Sequence, residues 1–380
     1  MTVAPPGPAP ATYPVPHGAE QGGVVSRVTL QTIADRVGVS RMTVSNAFSR
    51  PDQLSAQMRR TILEAAADLG YVGPDPSARA LARGTTGAVG VLLTESLGTA
   101  FLDPIAAAFF GAVAEELAPT GTAVVLLPSI SQGMVPARDI PMDGALVYGC
   151  AGDYPAVDWL VRRRLPLVFV DGDAVGDASS VHLDEREGAR LGAQHLLDLG
   201  HRRITILTMN STAPPGWAPD TRTAGSGYVG RERQTGWVET LEAAGVTPAT
   251  MEVHDNVEPY VTQGARAVLA GPDRPTAVLC FSDLMAAAVV HAADELGLRV
   301  PEDVSVVGYD DSPLARRLRP ALTTVHQDFA AKGKAAAGAL TAAIARFRAG
   351  EPPIPEHHQI PVDLVVREST APPAHGGRSG

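Results

Sequence analysis

The stretch Leu30-Gln31-Thr32-Ile33-Ala34-Asp35-Arg36-Val37-Gly38-Val39-Ser40-Arg41-Met42-Thr43-Val44-Ser45 holds the residues whose types and spacing point most directly to a chemistry. That chemistry is the reading of bases. A helix-turn-helix needs a small residue where its helices cross, here Ala34. It needs a turn glycine with positive φ, here Gly38, and an apolar residue beside it, here Val39. The second helix then points its N-terminal residues into the major groove. Arg41, Met42 and Asn46, with the hydroxyls of Thr43 and Ser45, fall on its exposed face. Arginine suits guanine O6 and N7, and asparagine suits adenine or a phosphate. An ordinary three-helix cap has no use for this agreement of charge, turn and polar face.

Other candidate chemistries are weaker. Gly225-Ser226-Gly227-Tyr228-Val229-Gly230 fits a dinucleotide fingerprint, but such glycines must follow a strand directly, and prolines 214, 215 and 219 intervene. It reads as a mobile loop. His357-His358 has no second ligand cluster at useful spacing and reads as a solvated loop, so no metal site is expected. Two cysteines, Cys150 and Cys280, exclude a disulfide framework or a cysteine-based zinc site. No Ser-His-Asp or paired-carboxylate set stands out, and no cofactor is implied.

Charge separates the chain into two parts. The 380 residues carry a formal net charge of −10. Residues 27–84 hold eight arginines against five acids, an excess of three positive charges, which leaves a net of thirteen negative charges elsewhere. Attraction to phosphate is local, because screening cuts charge effects beyond about 10 Å at 0.1 M salt. A small basic module can therefore meet DNA in front of an acidic bulk. No run of 18 apolar residues would span a membrane. Residues 1–26 contain six prolines and lack the basic and apolar regions of a signal peptide. They are expected to form a disordered tail.

The elements that position these residues are legible in outline. Three short helices are expected over residues 29–70, with Thr29, Ser40 and Ser55 as N-caps and Gly38 and Gly70 as stops. Their inward positions are Leu30, Ile33, Ala34 and Val37, then Val44 and Ala47, then Met58, Ile62, Ala65, Ala66 and Leu69. A short helix-compatible piece follows at 77–83. From residue 88, apolar runs suited to buried parallel strands alternate with helical segments. One series has strands at 88–93, 123–127, 144–147 and 167–170, with helices at 104–117 and 154–164. A second has strands at 204–209, 250–254, 277–280 and 304–308, with helices at 187–199, 231–244, 260–270 and 284–296. The fold class is thus an all-α helix-turn-helix head plus an α/β core of two doubly wound parallel-sheet subdomains. The expected divisions are a tail (1–26), the head (27–74), a hinge helix and linker (75–87), the core (88–370) and a flexible C-terminal tail (371–380).

The sequence resembles the lactose-repressor (LacI/GalR) family of bacterial transcription regulators. The resemblance starts at Val28-Thr29-Leu30 and rests on Ile33-Ala34, Gly38-Val39-Ser40, Thr43-Val44-Ser45 and Leu69-Gly70-Tyr71. It continues through Pro76-Ser77-Ala78-Arg79-Ala80-Leu81, which looks like the family's hinge helix, and through His195-Leu196-Leu197, Leu199-Gly200-His201 and Ile204. The stretch from Val300 to Asp311 and Leu322-Thr323-Thr324-Val325 match its C-terminal signatures. In one respect the chain departs from the pattern: Tyr71-Val72-Gly73-Pro74-Asp75 is one residue longer than usual between Tyr and Pro, and is followed by an acid.

The resemblance implies a DNA-binding head, a hinge, and a core like that of periplasmic sugar-binding proteins that dimerises and holds a small effector in its cleft. DNA contacts are then expected from Thr29, Ser40, Arg41, Met42, Thr43, Ser45, Asn46, Ser49, Ser55, Tyr71, Ala78, Arg79 and Leu81. Leu81 takes the place of a leucine that wedges into the minor groove. Ala78 allows close approach to the dimer mate. Effector contacts are expected from Thr94, Phe101, Asp103, Asp171, Arg233, Tyr260, Ser282 and Asp310. Carboxylates and a guanidinium at strand ends grip hydroxyls or a carboxylate with paired hydrogen bonds. The expected function is a cytoplasmic regulator, a repressor rather than an enzyme. It would bind a palindromic operator as a homodimer under control of a sugar or sugar phosphate, with nucleobases and nucleosides behind. The competing readings are an activator, a solute-binding protein, or a sugar- or nucleoside-modifying core fused to a DNA-binding head.

Overall fold

The computed structural model describes residues 28–73, 75–93, 97–129, 134–149, 155–271 and 273–374. The expected N-terminal tail, Thr94, Cys150 and residues 375–380 lie outside them. The chain divides into two compact units, residues 1–83 and 84–380.

In the first unit, α1 (Leu30–Val37) starts at Thr29, whose hydroxyl accepts from the Thr32 N–H in a reciprocal capping box. It stops at Gly38, which adopts φ +75° and donates its N–H to the Ala34 carbonyl. Ser40 then caps α2 (Arg41–Ser49), and Ser55 caps α3 (Ala56–Asp68). Ile33, Ala34, Val44, Ala47, Ile62 and Ala66 form the core, wrapped by Val39, Phe48, Leu69 and Tyr71. Leu30, Val37, Ala65 and Leu69 are only partly buried, and Met58, expected inside, is exposed. The helix α4 (Pro76–Arg83) closes this unit.

The second unit contains two sheets. The first is wholly parallel, ordered β12-β5-β4-β3-β1-β2. Its strands are β1 (Ala88–Leu93), β2 (Ala123–Pro128), β3 (Ala145–Tyr148), β4 (Leu167–Val170), β5 (Ser179–Leu183) and β12 (His357–Ile360). The helices α5 (Leu97–Leu102), α6 (Pro104–Leu117), α7 (Pro136–Asp139), α8 (Pro155–Arg162) and α14 (Phe329–Ala349) belong to it. Val89, Val91 and Leu93 of β1 join the cluster containing residues of α6 and α14, and Leu92 joins the one containing residues of α7 and α8. That two-sided burial is why the strand reads as a continuous apolar run.

The second sheet runs β13-β11-β10-β9-β6-β8-β7. It consists of β6 (Ile204–Met209), β7 (Gly216–Trp217), β8 (Ala249–Val253), β9 (Ala277–Cys280), β10 (Ser305–Asp310), β11 (Thr323–Gln327) and β13 (Val362–Val365). Both edge strands are antiparallel, so this sheet is mixed where a purely parallel one was expected. Its helices are α9 (Glu185–Asp198), α10 (Gly227–Ala243), α11 (Tyr260–Leu269), α12 (Asp283–Glu295) and α13 (Pro313–Arg317). The chain passes between the sheets three times, at 183–185, 327–329 and 360–362. The two series are therefore not simply consecutive: α14 and β12 return to the first subdomain.

Three local readings are corrected. His357 and His358 lie in edge strand β12, where His357 Nδ1 and Ser180 Oγ share a 2.8 Å hydrogen bond, and not in a solvated loop. The Gly225–Gly230 stretch is no mobile loop. Gly225 donates its N–H to the Glu252 carboxylate at 2.8 Å, and α10 begins at Gly227. Ala371, expected in the flexible tail, is anchored: its carbonyl accepts from Ser305 Oγ, and its N–H donates back to that oxygen.

Candidate nucleic-acid interface and ligand cleft

Val44 and Ala47 turn α2 onto the core, and that fixes what the opposite face presents. Arg41 and Ser49 are exposed, and Met42 is 69% exposed. Thr43, Ser45 and Asn46 are half-buried. The Thr43 hydroxyl pairs with Ser40 Oγ at 2.8 Å, and the Asn46 amide donates to Gln53 Oε1 at 3.2 Å. The Ser49 hydroxyl donates to the Ser45 carbonyl at 2.8 Å. Arg41 and Met42 are thus the projecting residues of the first turn. Thr29, Ser40 and Ser55 each cap a helix whose N-terminal amides suit an anion. The Tyr71 ring packs edge-on against Phe48, centroids 5.6 Å apart. On α4, Arg79 is exposed and Leu81 is 86% exposed.

A cavity of about 490 Å³ lies between the two sheets of the second unit. The first subdomain contributes Asp103, Tyr148, Asp171 and Lys332 to its lining. The second contributes Glu185, Arg233, His254, Asn256, Phe281, Asp310 and Gln327. Asp171 follows the C-terminal end of β4 and Asp310 ends β10, where ligands of doubly wound sheets bind. Both have positive φ, +52° and +125°, conformations that non-glycine residues adopt rarely.

Arg233 is the electrostatic centre of one wall. It lies on the buried face of α10, which approaches α9 so closely that a Cβ on Gly236 would sit 2.3 Å from the Arg186 carbonyl oxygen. This brings Arg233 Nε to 2.7 Å from Glu185 Oε2. Its Nη1 donates to the Phe281 carbonyl and lies 4.0 Å from Asp310 Oδ1, while the guanidinium stacks 3.5 Å from the Tyr309 ring centroid. Asp310 accepts from the Gln327 amide at 2.6 Å. Burial, reinforced by the nearby Asp283 carboxylate, holds the Asp310 carboxyl well above the usual range. Burial likewise raises Asp283 to about 6, although it accepts from Thr324 Oγ1 and from the Ser312 N–H and hydroxyl.

On the opposite wall Lys332 Nζ lies 2.5 Å from Asp171 Oδ2, and both side chains are almost wholly buried. Asp103 caps α6 through the Ile105 N–H at 2.9 Å, and burial raises its carboxyl.

Of the residues expected from sequence, Asp103, Asp171, Arg233 and Asp310 converge on the cavity. Three others stand outside its lining. Phe101 is 63% exposed, because the adjacent Ala100 takes the inward position of α5. Tyr260 packs against the core of the second subdomain, with its ring centroid 5.5 Å from that of His254. Ser282 caps α12 and donates to Asn256 Oδ1 at 2.7 Å, so Asn256, not Ser282, faces the cavity. Glu185, Gln327 and Lys332 were missed. Lys332 had left a signal: it shares the i, i+4 face of Ala336, Leu340 and Ile344, a charge on an otherwise buried stripe.

Residues 29–74 match the family model of bacterial regulatory proteins of the lacI family, and residues 193–370 match a periplasmic binding protein-like domain. The HTH-type transcriptional regulator Rv3575c of Mycobacterium tuberculosis is 36% identical over 360 residues, which is 92% of this chain and 98% of that one. The chain belongs to the LacI family. The HTH-type transcriptional repressor PurR of Escherichia coli is 32% identical over 356 residues, covering 90% of this LacI-family chain and 97% of PurR. The Lac repressor dimer, solved bound to operator and the anti-inducer ONPF, superposes with a TM-score of 0.71. It is 27% identical and covers 90% of this chain and 99% of its own. This LacI-family member is a DNA-binding transcriptional regulator, not an enzyme. Among the described residues no helix is long and apolar enough to cross a membrane.

Proposed function

We propose that the chain is a cytoplasmic repressor. It binds a palindromic operator as a homodimer, and its affinity for DNA is set by a neutral, polyhydroxylated effector, a sugar or sugar derivative, in the cleft. The lining of the cavity carries the effector reading. Among the described lining residues, Asp103, Asp171, Glu185, Asp255 and Asp310 stand against two permanent cations, Arg233 and Lys332. Carboxylates accept hydrogen bonds from hydroxyls, whereas a phosphate ester would meet five acids and two cations that are already paired. This disfavours the sugar phosphates admitted on sequence grounds. The volume falls in the roughly 300–1,000 Å³ range of small-molecule sites.

On the DNA side, Arg41 and Met42 read base edges. Ser40, Ser45 and the capped helix N-termini position the head on phosphates, and Leu81 wedges the operator centre. Two similarities support repression by a dimer: PurR is a repressor, and the Lac repressor was solved as a dimer on its operator. A head this small holds DNA at high affinity only when paired. The test is selection of operator sequences by the purified full-length protein, followed by a reporter assay. A two-fold symmetric consensus bound by two chains, with reporter output falling when the regulator is present, is expected. An asymmetric site bound by one chain, or rising output, refutes it.

A further inference from the structure

The first-subdomain wall of the cavity contains an ion pair that is only half used. Lys332 donates to Asp171 Oδ2, its one hydrogen-bond partner among the described residues. An ammonium has three donors. The rings of Phe109, Tyr148 and Phe329 stand 5.5–5.8 Å from Nζ and offer it no further acceptor oxygen at bonding distance. Asp171 Oδ1 is buried and has no hydrogen-bond partner among the described residues. Buried polar atoms are nearly always satisfied, so an orphan acceptor beside an underused donor, on two residues that line a cavity, marks a place for a ligand group.

The choice of residue points the same way. The chain has 31 basic residues, of which only Lys332 and Lys334 are lysines. A chain that otherwise uses arginine keeps the compact ammonium at this buried position. A planar guanidinium would need far more room and would fork across both oxygens of Asp171. Stability alone does not explain the pair, because desolvation offsets most of the attraction between buried charges.

We infer that Lys332 and Asp171 act together as a hydroxyl reader that determines effector specificity: one hydroxyl of the ligand donates to Asp171 Oδ1 and accepts from Lys332 Nζ. A hydroxyl is the group that is donor and acceptor at one atom. An anionic oxygen satisfies Lys332 but meets Asp171 and Asp103 unfavourably. An aromatic edge satisfies neither. The inference rests on the cleft being the effector site and adds what this wall selects.

The test starts with a thermal-shift panel on the full-length protein. The probes are D-glucose, D-galactose, D-ribose and cellobiose, with D-glucose 6-phosphate, adenine and hypoxanthine as contrasts. The binder is then titrated by calorimetry against wild type, Lys332→Met, Asp171→Asn and, on the opposite wall, Asp310→Asn. A neutral sugar should bind. Lys332→Met and Asp171→Asn should each weaken it about tenfold or more. One monodeoxy analogue should bind wild type equally weakly and lose nothing further in Lys332→Met, a coupling that a merely structural lysine would not produce. If Lys332→Met fails to fold because Asp171 is left uncompensated, Lys332→Met with Asp171→Leu removes both charges. That variant should fold and should bind the sugar and its deoxy analogue alike. A panel without a neutral binder overturns the inference, as does an affinity unchanged within twofold in Lys332→Met. A purine or phosphate ester whose binding is lost in Asp310→Asn overturns it while the cleft stands. A ligand indifferent to all three variants removes the cleft reading as well.

Discussion

Replacing Arg233 with methionine removes the one cation that Glu185 and Asp310 share. The side chains of Arg233, Glu185 and Asp310 are 5%, 1% and 11% exposed, so water does not take its place. Breaking a buried pair by deleting one partner costs roughly 3–5 kcal/mol, most of it the penalty of the charge left behind. Loss of the stack on Tyr309 and of the bond to the Phe281 carbonyl adds to this. At about 2–4 °C per kcal/mol for a large domain, the melting midpoint should fall by about 6–20 °C. Urea titrations followed by circular dichroism measure the loss directly. In the variant, Glu185 loses the guanidinium that stands 2.7 Å from its Oε2. Adding Glu185→Gln should recover at least about half of the loss, because the uncompensated charge disappears. A deficit under about 1 kcal/mol, or a double variant whose losses simply add, would refute the reasoning.

Arg41→Ala should change the bases preferred in operator selection. Ser40→Ala should weaken all sites alike and cost the head about 1 kcal/mol through the lost N-cap; an unchanged logo for Arg41→Ala sinks the assigned register. Leu81→Ala should lower specific DNA affinity much more than non-specific affinity, with effector binding intact; equal loss on both DNAs in fluorescence anisotropy counts against a wedge. Asp283, with its carboxyl at about 6 in place of the ordinary 3.8, binds a proton more tightly folded than unfolded. Its contribution to stability is complete below about pH 4 and falls by about 3 kcal/mol as pH rises through about 6. The stability of wild type relative to Asp283→Asn should fall by about 2 kcal/mol between pH 4 and pH 7, and a difference independent of pH removes the argument.

The parts of this protein that were legible in its sequence are those decided locally. Thr29, Ser40 and Ser55 had to accept from the first turn of a helix, and Gly38 had to supply a positive φ. The strands β1, β4, β6 and β9 are buried on both faces, so their apolar runs were visible at their full length. The strands β5 and β11 were passed over because serine, threonine and histidine occupy positions that only neighbouring strands bury. The helix α14 packs largely through Gly333, Ala336, Ala337 and Ala339, small residues that dilute the periodic signal of Leu340 and Ile344. These omissions have one geometric origin, and the origin bears on mechanism. Glu185 and Gln327 sit on the segments where the chain passes between the subdomains, and Lys332 lies one turn beyond the second passage. Each is bonded to a cleft residue: Glu185 to Arg233, Gln327 to Asp310, Lys332 to Asp171. The connections that set the relative position of the two subdomains are therefore made of the same residues that line the cavity. A ligand bonded there acts on the joint itself, and the free energy by which it shifts the joint is its differential affinity for the two arrangements.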